Sequence, residues 1–277
     1  MGERAAKRGR RGPGPSSMMD DFNEPEETPT SLAGDSLVLA VFKDATKQLN
    51  TRQDRHERLV KLSRDLIIES KRIIFLLHSP IKKEGHERAL ADAKERIDKL
   101  IDGPLKNIGI ELEECAAYLH HRAVTAAMQE YIEARTLYSI MSSGKILPYA
   151  DAQKELEYVV TVRDEPRTVV TLLPHTDYML GIADLTGELM RKAINSVSSG
   201  DQDDVYQACQ IVRDLYVGFL GLSGNRLLSR KLQTTRTNVN KVEMAVYGLQ
   251  LRDKYGKPTA ALHHHHADDD GGDDGFY

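Results

Sequence analysis

The stretch Leu119–Leu137, LHHRAVTAAMQEYIEARTL, constrains this chain more than any other. Alternating steps of four and three pick out Leu119, Ala123, Ala126, Glu130, Glu133 and Leu137, which share one face of a helix with 3.6 residues per turn. That face is apolar above and below, with two glutamates set in its middle. An ionised carboxylate buried without a partner costs several kcal/mol or more, and two of them one turn apart also repel each other. The spacing therefore predicts something positive beside them. A second acidic pair, Asp184 and Glu188, lies four residues apart in DYMLGIADLTGELMRKAINS, Asp177–Ser196. Tyr178, Ile182, Leu185 and Leu189 form one apolar row beside it, and Leu180, Ala183, Met190 and Ile194 form another. Between the rows runs a polar stripe of Asp177, Gly181, Asp184, Glu188, Arg191 and Asn195. A helix apolar on two sides packs on two sides, so its acids face an internal groove. Taken singly, each pair reads as an ordinary salt-bridge feature of a helix. Together, two helices with two inward carboxylates each point to hard divalent cations such as Mg²⁺ or Mn²⁺.

The rest of the composition agrees with a helical protein. The chain has 277 residues, 40% hydrophobic and 29% charged, with ten prolines and no Trp, which is enough apolar material for a core. Its net charge of −4 becomes +1 without the tail aspartates Asp268, Asp269, Asp270, Asp273 and Asp274, which argues against a generally basic nucleic-acid coat and leaves local patches open. Cys115 and Cys209 lie far apart in helical patterns and read as free thiols of a reducing compartment. The first thirty residues hold no apolar signal-peptide core, and the apolar run Ile73–Leu77 is too short to span a bilayer. The expectation is a soluble protein of cytoplasm and nucleus, with no membrane partner.

Residues 1–34 are rich in Gly, Pro, Arg and acids and are predicted disordered; Lys7–Arg11, KRGRR, reads either as a nuclear-import signal or as a solubilising tail. The domain is expected over 35–254, followed by a His- and Asp-rich disordered tail, 255–277, in which His263–His266 read as low complexity. A helix is expected from Ser36 to about Arg52, leading into a strong pattern over Arg55–His78. There Leu59, Leu62, Leu66, Ile73 and Leu77 share a face and Lys61, Arg64, Lys71 and Arg72 line the opposite one. Lys61, Arg64 and Lys71 are candidates for gripping a phosphate backbone, against the simpler reading of a solvated face. Further helices are predicted over Glu84–Leu105, bent or ended at Gly103–Pro104, and from about Gly109 to Ser142. Residues 145–176 read as a short helix and then a small hairpin or an extended connection. Pro174, with Thr176 or Asp177 as N-cap, is expected to start the second acidic helix. Asp203–Leu220 and Arg226–Arg252 complete the set. The last carries an apolar row of Leu228, Leu232, Thr235, Val239, Val242, Val246 and Leu249, which suits a bundle seam or an interface with another chain. Six or seven long helices with short links give an all-α antiparallel bundle.

Four motifs, RHERLVKLSRDLIIESKRIIFLLH (Arg55–His78), MQEYIEA (Met128–Ala134), DYMLGIADLTGELMRKAINSVSSGD (Asp177–Asp201) and KVEMAVYGLQLR (Lys241–Arg252), resemble the translin family. The resemblance spans roughly residues 36–254 and is most specific in the first and third motifs. It implies a seven-helix fold that assembles with translin into a closed, hollow hetero-octamer. Members with both QEYxEA and ADLTGE are the metal-dependent RNase subunits. The resemblance thus places Glu130, Glu133, Asp184 and Glu188 on catalytic positions, with Glu130, Glu133 and Asp184 as metal ligands and Glu188 as a further ligand or the group that positions water. It also implies single-stranded RNA as substrate, including passenger strands during RISC activation, with single-stranded DNA and RISC components as further partners. The rival reading is a non-catalytic scaffold that stabilises translin. A di-iron bundle would need Glu-x-x-His pairs, which neither acidic pair supplies.

Overall fold

The computed structural model describes residues 37–79, 83–113, 115–162, 165–222 and 226–256. The two expected tails, with Lys7–Arg11 and His263–His266, lie outside the described residues apart from Gly256 and its neighbour Tyr255. By internal contacts the chain divides into a unit ending at Leu49 and a unit starting at Asn50. The described residues of the first, 37–49, are helical and exposed, and include the apolar side chains Leu37, Val38, Leu39, Val41 and Phe42.

Helix α1 covers Leu37–His78 and takes in both the helix expected to about Arg52 and the pattern over Arg55–His78. In the second unit its apolar residues Leu59, Leu66 and Ile73, seven apart, are fully buried, the spacing that keeps side chains on one face over two turns. Burying a Leu or Ile side chain is worth about 1.5–3 kcal/mol, and this row is the helix's anchor. Helix α2, Lys83–Leu100, ends in a wide π-type turn, Ile101–Leu105, that accommodates Pro104. A proline has no N–H for the helical ladder; the wider turn absorbs the defect, and α3 continues over Lys106–Glu113. The helix expected over 109–142 is therefore two helices. After a single 3₁₀ turn at Ala117–Leu119, α4 spans His121–Ser143. Gly144, with φ of 72°, closes α4 and donates its N–H to the Ile140 carbonyl, a left-handed cap that favours glycine.

Helix α5, Tyr149–Lys154, and an antiparallel hairpin of β1, Glu157–Val162, and β2, Glu165–Val170, fill the connection that was hardest to read. Glu157 pairs with Val170 and Val162 with Glu165. Just beyond β2, Thr171 donates to the Leu105 carbonyl at 2.8 Å, which pins the hairpin to the π-type turn. Helices α6, His175–Ser199, α7, Gln202–Leu220, and α8, Arg226–Tyr255, follow. The helical class expected from the sequence is what the chain adopts.

Helix α6 is the centre of the second unit, packed against α4, α7 and α8. Its approach to α4 is close because residue 181 is glycine. A Cβ there would lie 2.7 Å from the Gln129 carbonyl oxygen and 2.9 Å from the Ile132 Cβ. On its other side Asn238 of α8 donates to Thr186 at 3.0 Å. The α8 row Thr235, Val239, Val242 and Leu249 is buried, so of the two readings of that row the bundle seam is the one observed. Among the described residues no helix is long and apolar enough to cross a membrane, and both cysteines are free, Cys209 buried and Cys115 partly so.

Candidate active site

Residues Glu130 and Glu133 lie one turn apart on α4, and Asp184 and Glu188 one turn apart on α6, across the Gly181 approach. All four are partly buried. The apolar face proposed for α4 holds only in part. Leu119 precedes the helix and is 40% exposed, Ala126 is exposed, and the buried row is Val124, Ala127, Met128, Tyr131, Ile132 and Leu137. The glutamates therefore sit at the edge of the packed face rather than inside it.

The positive partners required by the sequence argument are present and come from three helices. Lys71 of α1 reaches Glu130 at 3.2 Å. Lys231 of α8 reaches Asp184 at 2.5 Å. Glu188 faces the His78 ring of α1 at 2.7 Å and the Arg191 guanidinium, one turn further along α6, at 3.2 Å. The His78 Nε2 and Glu188 Oε2 atoms are buried, and despite their closeness they are not aligned as a hydrogen bond. Glu133 has no ion pair among the described residues. Burial, followed by the charges of Asp184, Glu188 and Glu130, pushes its carboxyl up to about 8, with Lys231 pulling the other way. Each of those charges acts on Glu133, so the four acids form one electrostatic cluster.

Of the predicted backbone-gripping residues, only Lys71 is brought to this cluster; Lys61 and Arg64 are exposed on α1 without a recorded link to it. His78 and Lys231 were not singled out from the sequence. Lys71 and His78 are seven residues apart, so a shared face was readable once Lys71 was chosen. Lys231 lies in an unremarkable basic stretch, SRKLQTTR, and only the packing of α8 on α6 reveals it. Asp177 also differs from its expected role. The N-cap of α6 is Pro174 without a side-chain bond, and Asp177 is 2% exposed inside the first turn. It accepts hydrogen bonds from Thr125 and, at 2.9 Å, from Gln129. These bonds tie α6 to α4 one helical turn ahead of Gly181, and they fix the two acid-bearing helices in register.

The donor set consists of carboxylate oxygens, the ligands hard divalent cations prefer. The buried Glu133 carboxyl, raised by burial and then by the neighbouring acids, and the buried, unaligned Glu188 oxygen both fit a cation. The side chains are at present turned toward their internal partners: among the described residues no three His, Cys, Asp or Glu side chains are gathered as a bound ion would gather them. Beside the cluster, His78 forms part of the wall of a cavity of about 800 Å³ that runs along α6 past Lys192 and Asn195 to Ser199.

Comparison with known proteins places these observations in a family. The sequence profile of the Translin family matches residues 54–253, which is the second unit with all four acids. The chain is 39% identical over 232 residues to translin-associated protein X of Rattus norvegicus, covering 78% of this chain and 80% of that one. Among solved structures, apo-NeC3PO superposes with a TM-score of 0.60 at 19% identity over 77% of this chain and 98% of that one. AfC3PO in complex with duplex RNA gives 0.59 at 20% identity over 77% and 98%; at such identities the likeness is one of fold. Profile, sequence identity and fold agree, and the chain belongs to the translin family.

Proposed function

We propose that this chain is the catalytic subunit of a complex with translin, an Mg²⁺-dependent endoribonuclease that cuts single-stranded RNA, including passenger-strand fragments during RISC activation. The observation that carries the reading is the cluster itself: two partly buried carboxylates on each of two packed helices, one of which, Glu133, is pushed up to about 8 by burial and then by the charges of the other three. Perturbed carboxylates on facing helices are what a site for a hard cation offers. The relatives support the wider setting. One is named for its association with translin, and one structural neighbour was solved with RNA.

In this reading Glu130, Glu133 and Asp184 hold Mg²⁺ or Mn²⁺, which supplies charge neutralisation at the phosphate and a lowered pKa for the attacking water. Glu188 would orient that water or take its proton, with the His78 ring 2.7 Å from its carboxylate. Lys71, at the exposed rim, meets the phosphate backbone, with Lys61 and Arg64 further along the same helix.

The test is cleavage of an end-labelled single-stranded RNA by the chain co-purified with translin, in Mg²⁺ and in EDTA, beside a Glu130→Ala/Glu133→Ala variant assembled to the same size. The expected result is metal-dependent cleavage that the variant loses while still binding RNA. A variant that cuts like the parent makes the acids structural, and the chain a scaffold for translin.

A further inference from the structure

Three of the four acids already have a permanent cation beside them: Lys71 at Glu130, Lys231 at Asp184 and Arg191 at Glu188. The two lysines come from helices that carry no acid of the cluster, and their side chains are 62% and 38% exposed. Pairs as exposed as these contribute little to stability, which leaves the lysines free to exchange partners. Lysine is also suited to leaving. Its ammonium is a compact charge with three donors on a flexible four-carbon stem, able to exchange a carboxylate for a phosphate oxygen by rotation alone. Arg191 is different, since it lies one turn from Glu188 on the same helix.

Charge counting gives the lysines a task. Glu130, Asp184 and Glu188 each face one permanent cation and are balanced by it. A divalent cation added to that set tips the site positive and puts two like charges at Asp184. The negative charge of a phosphodiester restores the balance, provided that a lysine follows the phosphate.

We propose that Lys231 and Lys71 are resident counter-cations of this site: they hold Asp184 and Glu130 while no divalent cation is bound, compete with it for those carboxylates, and turn to the RNA phosphates once it is in place. The proposal rests on the reading of the cluster as a metal-dependent RNA site. It makes Lys231 an RNA-contacting residue on α8, and it gives the site a reason to bind metal more tightly when RNA is present.

The experiment uses the full chain in its complex with translin and Mn²⁺ as the probe, followed by electron paramagnetic resonance. Lys231→Met removes the charge and keeps most of the length; Lys231→Arg keeps the charge. Without RNA, Lys231→Met is expected to bind Mn²⁺ roughly threefold more tightly or better, because a competitor worth a fraction of a kcal/mol has gone. Lys231→Arg should stay near the parent. With a non-cleavable 2′-O-methyl RNA, the same Lys231→Met complex should bind the strand roughly threefold more weakly in Mn²⁺ and unchanged in EDTA. A lysine with a merely structural role would weaken both ligands or neither. Lys71→Met repeats the test at Glu130 and covers the case in which Lys231→Met fails to assemble. If the parent has a Mn²⁺ site that Glu133→Gln abolishes, and neither lysine variant tightens it, the counter-cation proposal alone is overturned. If the parent has no such site, the nuclease reading is overturned and the proposal with it.

Discussion

At Glu133 the sequence and the structure make the same statement in different terms. Four-and-three spacing marked it as an acid in the wrong surroundings; packing shows that burial and three neighbouring acids hold its proton up to about pH 8. The consequence for stability has a definite sign. A carboxyl whose folded pKa lies above its ordinary value of 4.5 contributes stability that is fully present below that value and is lost as pH rises through about 8. In EDTA, therefore, the melting temperature of the parent complex should fall between pH 5 and pH 9, a window set by those two values. Glu133→Gln should flatten that fall, and calorimetry at the two ends checks it. Metal affinity should rise over the same interval, because a ligating carboxyl must lose its proton. What was not legible at this scale is the company of the acids. His78 and Lys231 are ordinary members of helical patterns, and nothing local in SRKLQTTR says that one lysine will reach across to Asp184.

Among the elements, the long helices were legible because each carries an apolar row: Leu59, Leu66 and Ile73 in α1, Leu185 and Leu189 in α6, Val239 and Val242 in α8. The break at Ile101–Leu105 was legible too, because Gly103–Pro104 marks it. The interruption between Glu113 and His121 was not, because it leaves the apolar spacing almost unchanged. Asp177 misled for a related reason. An acid three residues after a proline at a helix start reads as a capping pattern, but this one is turned inward to Thr125 and Gln129 by the α4 contact. That contact also sets the geometry of the site, with Gly181 at its closest point. Gly181→Ala should cost roughly 1–3 kcal/mol through overpacking, since a Cβ would meet the Gln129 carbonyl at 2.7 Å. It should also lower metal affinity by spreading the two acid-bearing helices. Denaturant unfolding and Mn²⁺ titration of the same preparation test both effects; a destabilised variant with parental metal affinity would show that the helix spacing does not govern the site.

For the whole molecule, the helical bundle followed from composition and periodicity, while the arrangement around α6 did not, because a single chain's apolar rows do not say which row meets which. The α8 row illustrates the point: as a sequence it fits a partner chain as well as a bundle seam, and only the burial of Thr235, Val239, Val242 and Leu249 decides for the seam. Because lysines, an arginine and a histidine already face the acids, folding does not depend on a metal. Helix content and assembly size should be the same in EDTA and in Mg²⁺, by circular dichroism and light scattering, and a loss of helix on chelation would contradict this. The account as a whole stands on the four carboxylates acting together on RNA. The measurement that tests it most directly is single-turnover cleavage of single-stranded RNA by the translin complex carrying Glu130→Gln, Glu133→Gln or Asp184→Asn, with RNA affinity measured in parallel. The account predicts a loss of rate of about a hundredfold or more for each, with RNA affinity close to that of the parent; three variants that cut at the parental rate would contradict it.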